Sequence, residues 1–279
     1  MKLRSSGWAS IPIALLVCTP AEAAYIDFEP PAYSAGGSCA SINGQSGWYT
    51  PAAANSTDGM VCSYAYLGGF GVPSDPYGGA QVALLHTTND SQYSRAQYNL
   101  DFRTAAVWSI SFDLTAVDLS STASSFGSFY PGSFGLIQPS GSSFNVFDSW
   151  DSAAANSTWT ANYGVYDSSG NQINEVPGAA WQGLTQGHWY RETTVFSMSA
   201  LMILSVSIED LSTLSTTTVA PAGWYLEPNV QPPGGVRMFG SGATNAMLFD
   251  NIQIDALPEP ATLLLAALGF AAIAIRRRR

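Results

Sequence analysis

The sequence predicts an all-β protein: an antiparallel β-sandwich of jelly-roll type, followed by a single C-terminal transmembrane helix. Three observations carry this reading. Val107 to Leu114 alternates, with Trp108, Ile110, Phe112 and Leu114 on one face and Ser109, Ser111 and Asp113 on the other. Leu204, Val206 and Ile208 alternate in the same way against Ser205, Ser207 and Glu209. The last residues form an apolar run closed by four arginines. A period of two belongs to half-buried antiparallel strands, and a long series of them without helix is what a sandwich needs.

The chain opens with an export signal over 1–23. Lys2 and Arg4 make a positive start, Ile11 to Val17 is mostly apolar, and Ala21-Glu22-Ala23 is a small-x-small cleavage site. Cys18 leaves with that signal, and Val17 before it is too large for a lipid-modification site. The body, 24–257, then holds only Arg95, Arg103, Arg191 and Arg237 as basic residues against eighteen of the 20 acidic ones, a charge of about −14. Such a field repels nucleic acid and anionic lipid, so neither is expected as a partner. Cys39 and Cys62 remain, and two cysteines in an exported chain pair. Their bridge closes a loop of 22 residues, worth ~3 kcal/mol by loop entropy.

Further strands are expected at 25–28, 60–66, 81–86, 133–138, 144–148, 161–167, 188–196, 235–240 and 246–254. Gly68-Gly69, Pro73 to Gly79, Ser168 to Asn171 and Gln231 to Gly235 supply the turns between them. The Ser-rich piece 119–133 reads as a long loop.

Catalysis has little material. With two histidines, His86 and His188, and no nucleophile-elbow motif, no Ser-His-Asp set is visible. Glu209 and Asp210 are adjacent, so a strand points them to opposite faces and they cannot act as a facing carboxylate pair. The expectation is a body that is not an enzyme. Trp150, Trp159 and Trp181 fall among Asn, Ser and Gly, where an exposed ring could stack on the apolar face of a sugar.

At the C-terminus, Pro258-Glu259-Pro260 precedes the uncharged run Ala261 to Ile275, and Arg276, Arg277, Arg278 and Arg279 end the chain. The 15 residues of that run would rise ~22 Å as a helix, short of a ~30 Å hydrocarbon core. The arginines can snorkel to lengthen its reach, and they mark that end as cytoplasmic. A soluble helix needs a polar face, and this one offers only Thr262.

The order of these parts, over 258–279, resembles the PEP-CTERM sorting signal of Gram-negative bacteria. The resemblance implies processing by an exosortase, transient anchoring in the inner membrane, and release to the cell surface or the extracellular polysaccharide matrix. Exopolysaccharide then becomes an expected partner. Ile42 to Trp48, Leu248 to Ile254, His188 to Val195 and Ile203 to Asp210 resemble segments of concanavalin A-like (laminin G-like) and carbohydrate-module jelly rolls. In such modules an acid of the first strand and the Asp of the last share a structural calcium ion. The matching positions are Glu29, with Asp27 nearby, and Asp250. Two alternatives stand beside a non-catalytic, glycan-associated body: a purely structural biofilm component, and a polysaccharide hydrolase.

Fused behind a soluble exported reporter, residues 256–279 should hold it in the membrane fraction until an exosortase acts. Replacing Arg276 to Arg279 by Ser should release or invert the fusion, because its orientation rests on that charge. Fractionation checks this, and identical partitioning with and without the arginines would remove the anchor.

Overall fold

The structure, a computed structural model, describes residues 23–52, 55–87, 92–119, 132–138, 145–154, 158–228, 233–241 and 245–257. Residues 1–22 of the export signal 1–23, 120–131 of the Ser-rich piece 119–133, and the whole sorting signal 258–279 lie outside the described residues, while Gly132 and Ser133, expected in that loop, open the strand Gly132–Ile137. Among those described, no helix is long and apolar enough to cross a membrane. The expected span 261–275 is not among them.

Two nine-stranded sheets pack face to face. From one edge, the first runs Ser215–Val219, Met202–Asp210, Tyr190–Ser197, Val107–Asp118, Asn245–Leu257, Gln81–Leu85, Met60–Ser63 and Cys39–Ser41. Ala24–Ile26 pairs with the far half of Asn245–Leu257, so the start and end of the body lie side by side. The second sheet runs Gln172–Glu175, Thr158–Tyr166, Asn145–Ala154, Gly132–Ile137, Gly235–Ser241, Tyr93–Asn99 and Trp48–Tyr49. Leu184–Thr185 adds to Thr158–Tyr166, and Ser56–Asp58 joins Tyr93–Asn99 in the single parallel pairing among the described strands. The architecture is the expected antiparallel jelly-roll sandwich.

Alternation drives the two sheets together. Phe112 of the first stacks on Phe134 of the second at 4.3 Å between ring centres, and Phe249 packs against both at 5.9 and 6.0 Å. Trp159 meets Tyr190 edge-on at 5.7 Å. Each such ring, wholly removed from water, contributes on the order of 2 kcal/mol of apolar burial.

A second, smaller core forms on the outer face of the first sheet. The expected strand 60–66 stops at Ser63, whose hydroxyl accepts from the Tyr66 N–H and caps a short helix, Tyr64–Leu67. Capping satisfies an orphan donor that a continuing strand would have paired along its ladder. Tyr64, Leu67 and Val72 then settle on Val82, Trp189 and Leu248. The Trp189 indole donates to the Pro73 carbonyl at 2.9 Å, holding the segment down. Cys39 and Cys62 sit opposite each other in the register and are bonded, as expected.

One expectation about the buried faces is corrected. Leu204 is 40% exposed, and Ile203 takes the core position. The register of this pair slips by one residue, with Val195 opposite Ser205 and Phe196 opposite Ile203. The bulge turns Leu204 outward, and alternation resumes with Val206. Ile203→Ala should therefore cost about 2–4 kcal/mol. Leu204→Ala should change stability by less than about 0.5 kcal/mol. Urea denaturation of the two variants checks the bulge, and equal losses would place Leu204 back in the core.

Candidate functional site

The first sheet's outer face, where the segment after Tyr64 crosses it, gathers a buried polar cluster. Asp113 points to that face by the same alternation that sends Phe112 and Leu114 inward. Expected on the polar side of its strand, it is nonetheless wholly buried. Arg191, opposite it in the register, supplies the counter-charge through two bonds, Nε to Oδ1 at 2.6 Å and Nη2 to Oδ2 at 2.7 Å. A bidentate guanidinium is the donor geometry that best fits a buried carboxylate.

Asp250 lies opposite Asp113 on the other side. A bulge follows, in which Asn251 adopts a φ of 47° and the register resumes at Gln253. Two consecutive residues can thereby serve the outer face while Phe249 and Ile252 stay in the core. Asn251 Nδ2 donates to Asp113 Oδ2 at 2.9 Å and to Asp75 Oδ2 at 3.3 Å, and its Oδ1 accepts from the Tyr25 hydroxyl at 2.8 Å. The carboxyl of Asp250 accepts from the Tyr64 hydroxyl and from the Asn251 N–H, both at 2.9 Å. Asp75 Oδ1 accepts from the Tyr77 N–H at 2.8 Å. Gly78 lets the loop close over this group, since a Cβ there would stand 2.6 Å from Asp250 Oδ2.

Three carboxyls share one guanidinium, and Asp113 has taken it. Burial, and then the charge of Asp113, pushes the Asp75 carboxyl up to about 7. Burial pushes Asp250 up to about 8, partly offset by the Asn251 N–H and reinforced by the charge of Asp75. The Tyr64 hydroxyl is raised by burial and then by Asp250. The cluster therefore keeps protons that water-exposed aspartates lose.

The residues singled out in the sequence distribute differently. Glu29 is close by, but its Oε1 is engaged by the Ala80 and Gln81 N–H groups, both at 2.7 Å. Asp250 is engaged as described above. Among the described residues no group of three or more His, Cys, Asp and Glu side chains is placed to hold a metal ion. Each of the two carboxyls thus has donors of its own. Trp159 and Trp181 are wholly buried, so neither ring can meet a sugar. Trp159 is drawn inward by strand alternation between Thr158 and Thr160, and Trp181 by a 3-10 turn, Ala179–Trp181, folded onto the core. The backbone places Trp150 opposite Asn162 in the second sheet. Between the sheets, a further buried acid, Glu192, accepts from the Tyr163 hydroxyl at 3.0 Å.

Sequence reasoning missed Asp75, Asp113, Arg191 and Asn251. The adjacent polar pair Asp250-Asn251 inside an apolar strand was the one local sign of a bulge. Arg191 belongs to Asp113 only because Tyr190–Ser197 lies beside Val107–Asp118.

Several solved structures resemble the body in fold. The conserved carbohydrate esterase of Shiga toxin-encoding bacteriophage phi24B superposes with a TM-score of 0.50 at 13% identity, covering 86% of this chain and 99% of that one. Peanut lectin matches with a TM-score of 0.45 at 14% identity, over 84% and 97% of the two chains. The PL-14 alginate lyase of Aplysia kurodai matches at 0.42 and 10% identity, over 66% and 86%. At these identities the likeness concerns the fold alone. No curated protein matches the chain in sequence. Residues 256–279 match the PEP-CTERM protein-sorting motif. The chain thus carries the signal of a secreted, exosortase-processed protein that is transiently anchored in the membrane.

Because Asp75 and Asp250 bind protons more tightly folded than unfolded, their contribution is complete below the ordinary carboxylate range near 3.8 and is lost as pH rises through about 7 and about 8. Stability should fall by several kcal/mol, on the order of 6, between pH 5 and pH 9. Asp250→Asn should flatten the slope, since the amide is neutral throughout. Thermal melts across this range check it, and a wild-type stability level or rising toward pH 9 would contradict the cluster's protonation.

Proposed function

We propose that this is a surface or extracellular-matrix protein whose body is a non-catalytic, glycan-associated β-sandwich, delivered by its C-terminal signal. The observation that carries the reading is the PEP-CTERM protein-sorting motif at 256–279, standing directly behind the last strand, Asn245–Leu257. That strand pairs with the first, Ala24–Ile26, so the body closes on itself before the tail begins. Cutting near Pro258 to Pro260 would free a finished sandwich and leave the apolar run with its arginines in the membrane.

Several features support a binding role over a catalytic one. The carboxyls of the buried cluster are engaged by Arg191, Asn251, Tyr64 and backbone N–H groups, and Gly78 packs over Asp250. A general acid or base needs a path to substrate, and these groups are covered. The fold is shared with a protein described as a carbohydrate esterase, which brings carbohydrate into view as the partner class. Within an exopolysaccharide matrix the body would hold the protein in place after release from the inner membrane.

In a host with its exosortase, mass spectrometry should find the exported chain shortened to an end near Pro258 and located in the matrix fraction. In an exosortase-deleted host it should remain full length and in the membrane. The exported protein should bind at least one polymer of a polysaccharide panel and release no reducing ends from any of them. Turnover of a polymer would overturn the non-catalytic reading, and absence of binding would leave a structural role in its place.

A further inference from the structure

The described surface carries few exposed aromatic rings, and two of them bracket one polar patch. Tyr25 is 62% exposed, yet its hydroxyl is fixed on Asn251 Oδ1 at 2.8 Å. Tyr77 is 51% exposed, and the Arg191 guanidinium lies over its ring, 5.3 Å from the centre. Between them every link is a direct contact: Tyr25 to Asn251, Asn251 to Asp113, Asp113 to Arg191, Arg191 to Tyr77. The rings are therefore held beside the same buried ion pair, one from the first strand and one from the loop that closes over the cluster.

Tyrosine supplies a large, flat, amphipathic surface at little entropic cost, and a ring already pinned loses less on binding. Arg191 spends Nε and Nη2 on Asp113 while 31% of its side chain reaches solvent. A guanidinium has five N–H donors, so others remain for ligand oxygens. Asp113 balances the charge of Arg191 beneath the patch, and the body around it is acidic. That field disfavours uronates and sulfated sugars.

We propose that Tyr25 and Tyr77 form a two-ring platform for an uncharged hexose polymer, with Arg191 donating to the hydroxyls between them. The assignment rests on the glycan-associated reading of the body and locates it. It uses none of the tryptophans that the sequence pointed to. The rings take the apolar faces of sugars along one polymer, and the Asn251 bond keeps Tyr25 from collapsing onto the strand.

The test is affinity electrophoresis of the full chain, purified in mild detergent, through gels containing a soluble β-glucan, a galactomannan, dextran or alginate. The wild type should be retarded by at least one neutral polymer and not by alginate. Tyr25→Ala and Tyr77→Ala should each weaken that retardation by about tenfold, and Tyr66→Ala, an exposed ring elsewhere, should leave it unchanged. As a measurement on the wild type, the bound polymer should protect Tyr25 and Tyr77, but not Tyr66, from nitration. If no polymer retards the wild type, the glycan-associated reading falls and the platform with it. If a neutral polymer retards both Ala variants like the wild type, or leaves both tyrosines open to nitration, the platform alone is wrong. Retention by alginate only would overturn the neutral class.

Discussion

The bidentate pair of Arg191 and Asp113 is the interaction on which the outer face of the first sheet depends. Asp113 is wholly buried, so its charge survives there only with a cation at hydrogen-bond distance. The guanidinium comes from the strand beside it, directly opposite in the register, and is raised further above its ordinary range by its bonds to that carboxylate. Once the pair is formed, the remaining lone pairs of Asp113 direct Asn251, and Asn251 directs Asp75 and Tyr25. The loop carrying Asp75, Tyr77 and Gly78 is docked by this sequence of bonds on one side and by Trp189 on the other. Removing one partner of the pair would leave a buried charge uncompensated, which is far costlier than replacing both.

Such a network is an unusual use of a β-bulge. In a regular strand Asp250 and Asn251 would face opposite sides, and one of them would enter the Phe112, Phe134 and Phe249 core. The left-handed residue at Asn251 keeps the polar atoms out of that core and lets Ile252 and Ile254 return to it. Packing of the two sheets and assembly of the polar cluster are thus reconciled by one extra residue in the last strand. The same strand receives Ala24–Ile26, so the region where the chain begins and the region where it leaves for the tail are stabilised together.

Division of labour between body and tail follows from their chemistry. The tail carries its sorting motif in a contiguous stretch of sequence, apart from the folded body. The body's acidity, its sandwich architecture and its closed termini suit a part that persists outside the cell after the tail is gone.

What the sequence by itself determined is whatever depends on neighbours along the chain. Strand alternation in Val107–Asp118, the pairing of Cys39 with Cys62, the acidic body and the sorting signal were all legible, because each rests on composition, spacing or a local period. Strands such as Tyr93–Asn99 were not, since Tyr-Ser-Arg-Ala-Gln-Tyr-Asn carries only a faint apolar period, and its inner Ala96 is small. Only the tertiary structure decided that Trp159 and Trp181 are core, that Ile203 displaces Leu204, and that Glu29 serves backbone N–H groups while Asp250 serves Tyr64. It alone joined Asp75, Asp113, Arg191 and Asn251, which are scattered over the whole body, because strand order and two bulges set which side chains share a face. A one-residue slip reverses that face, and no local pattern records where the partner strand makes it happen.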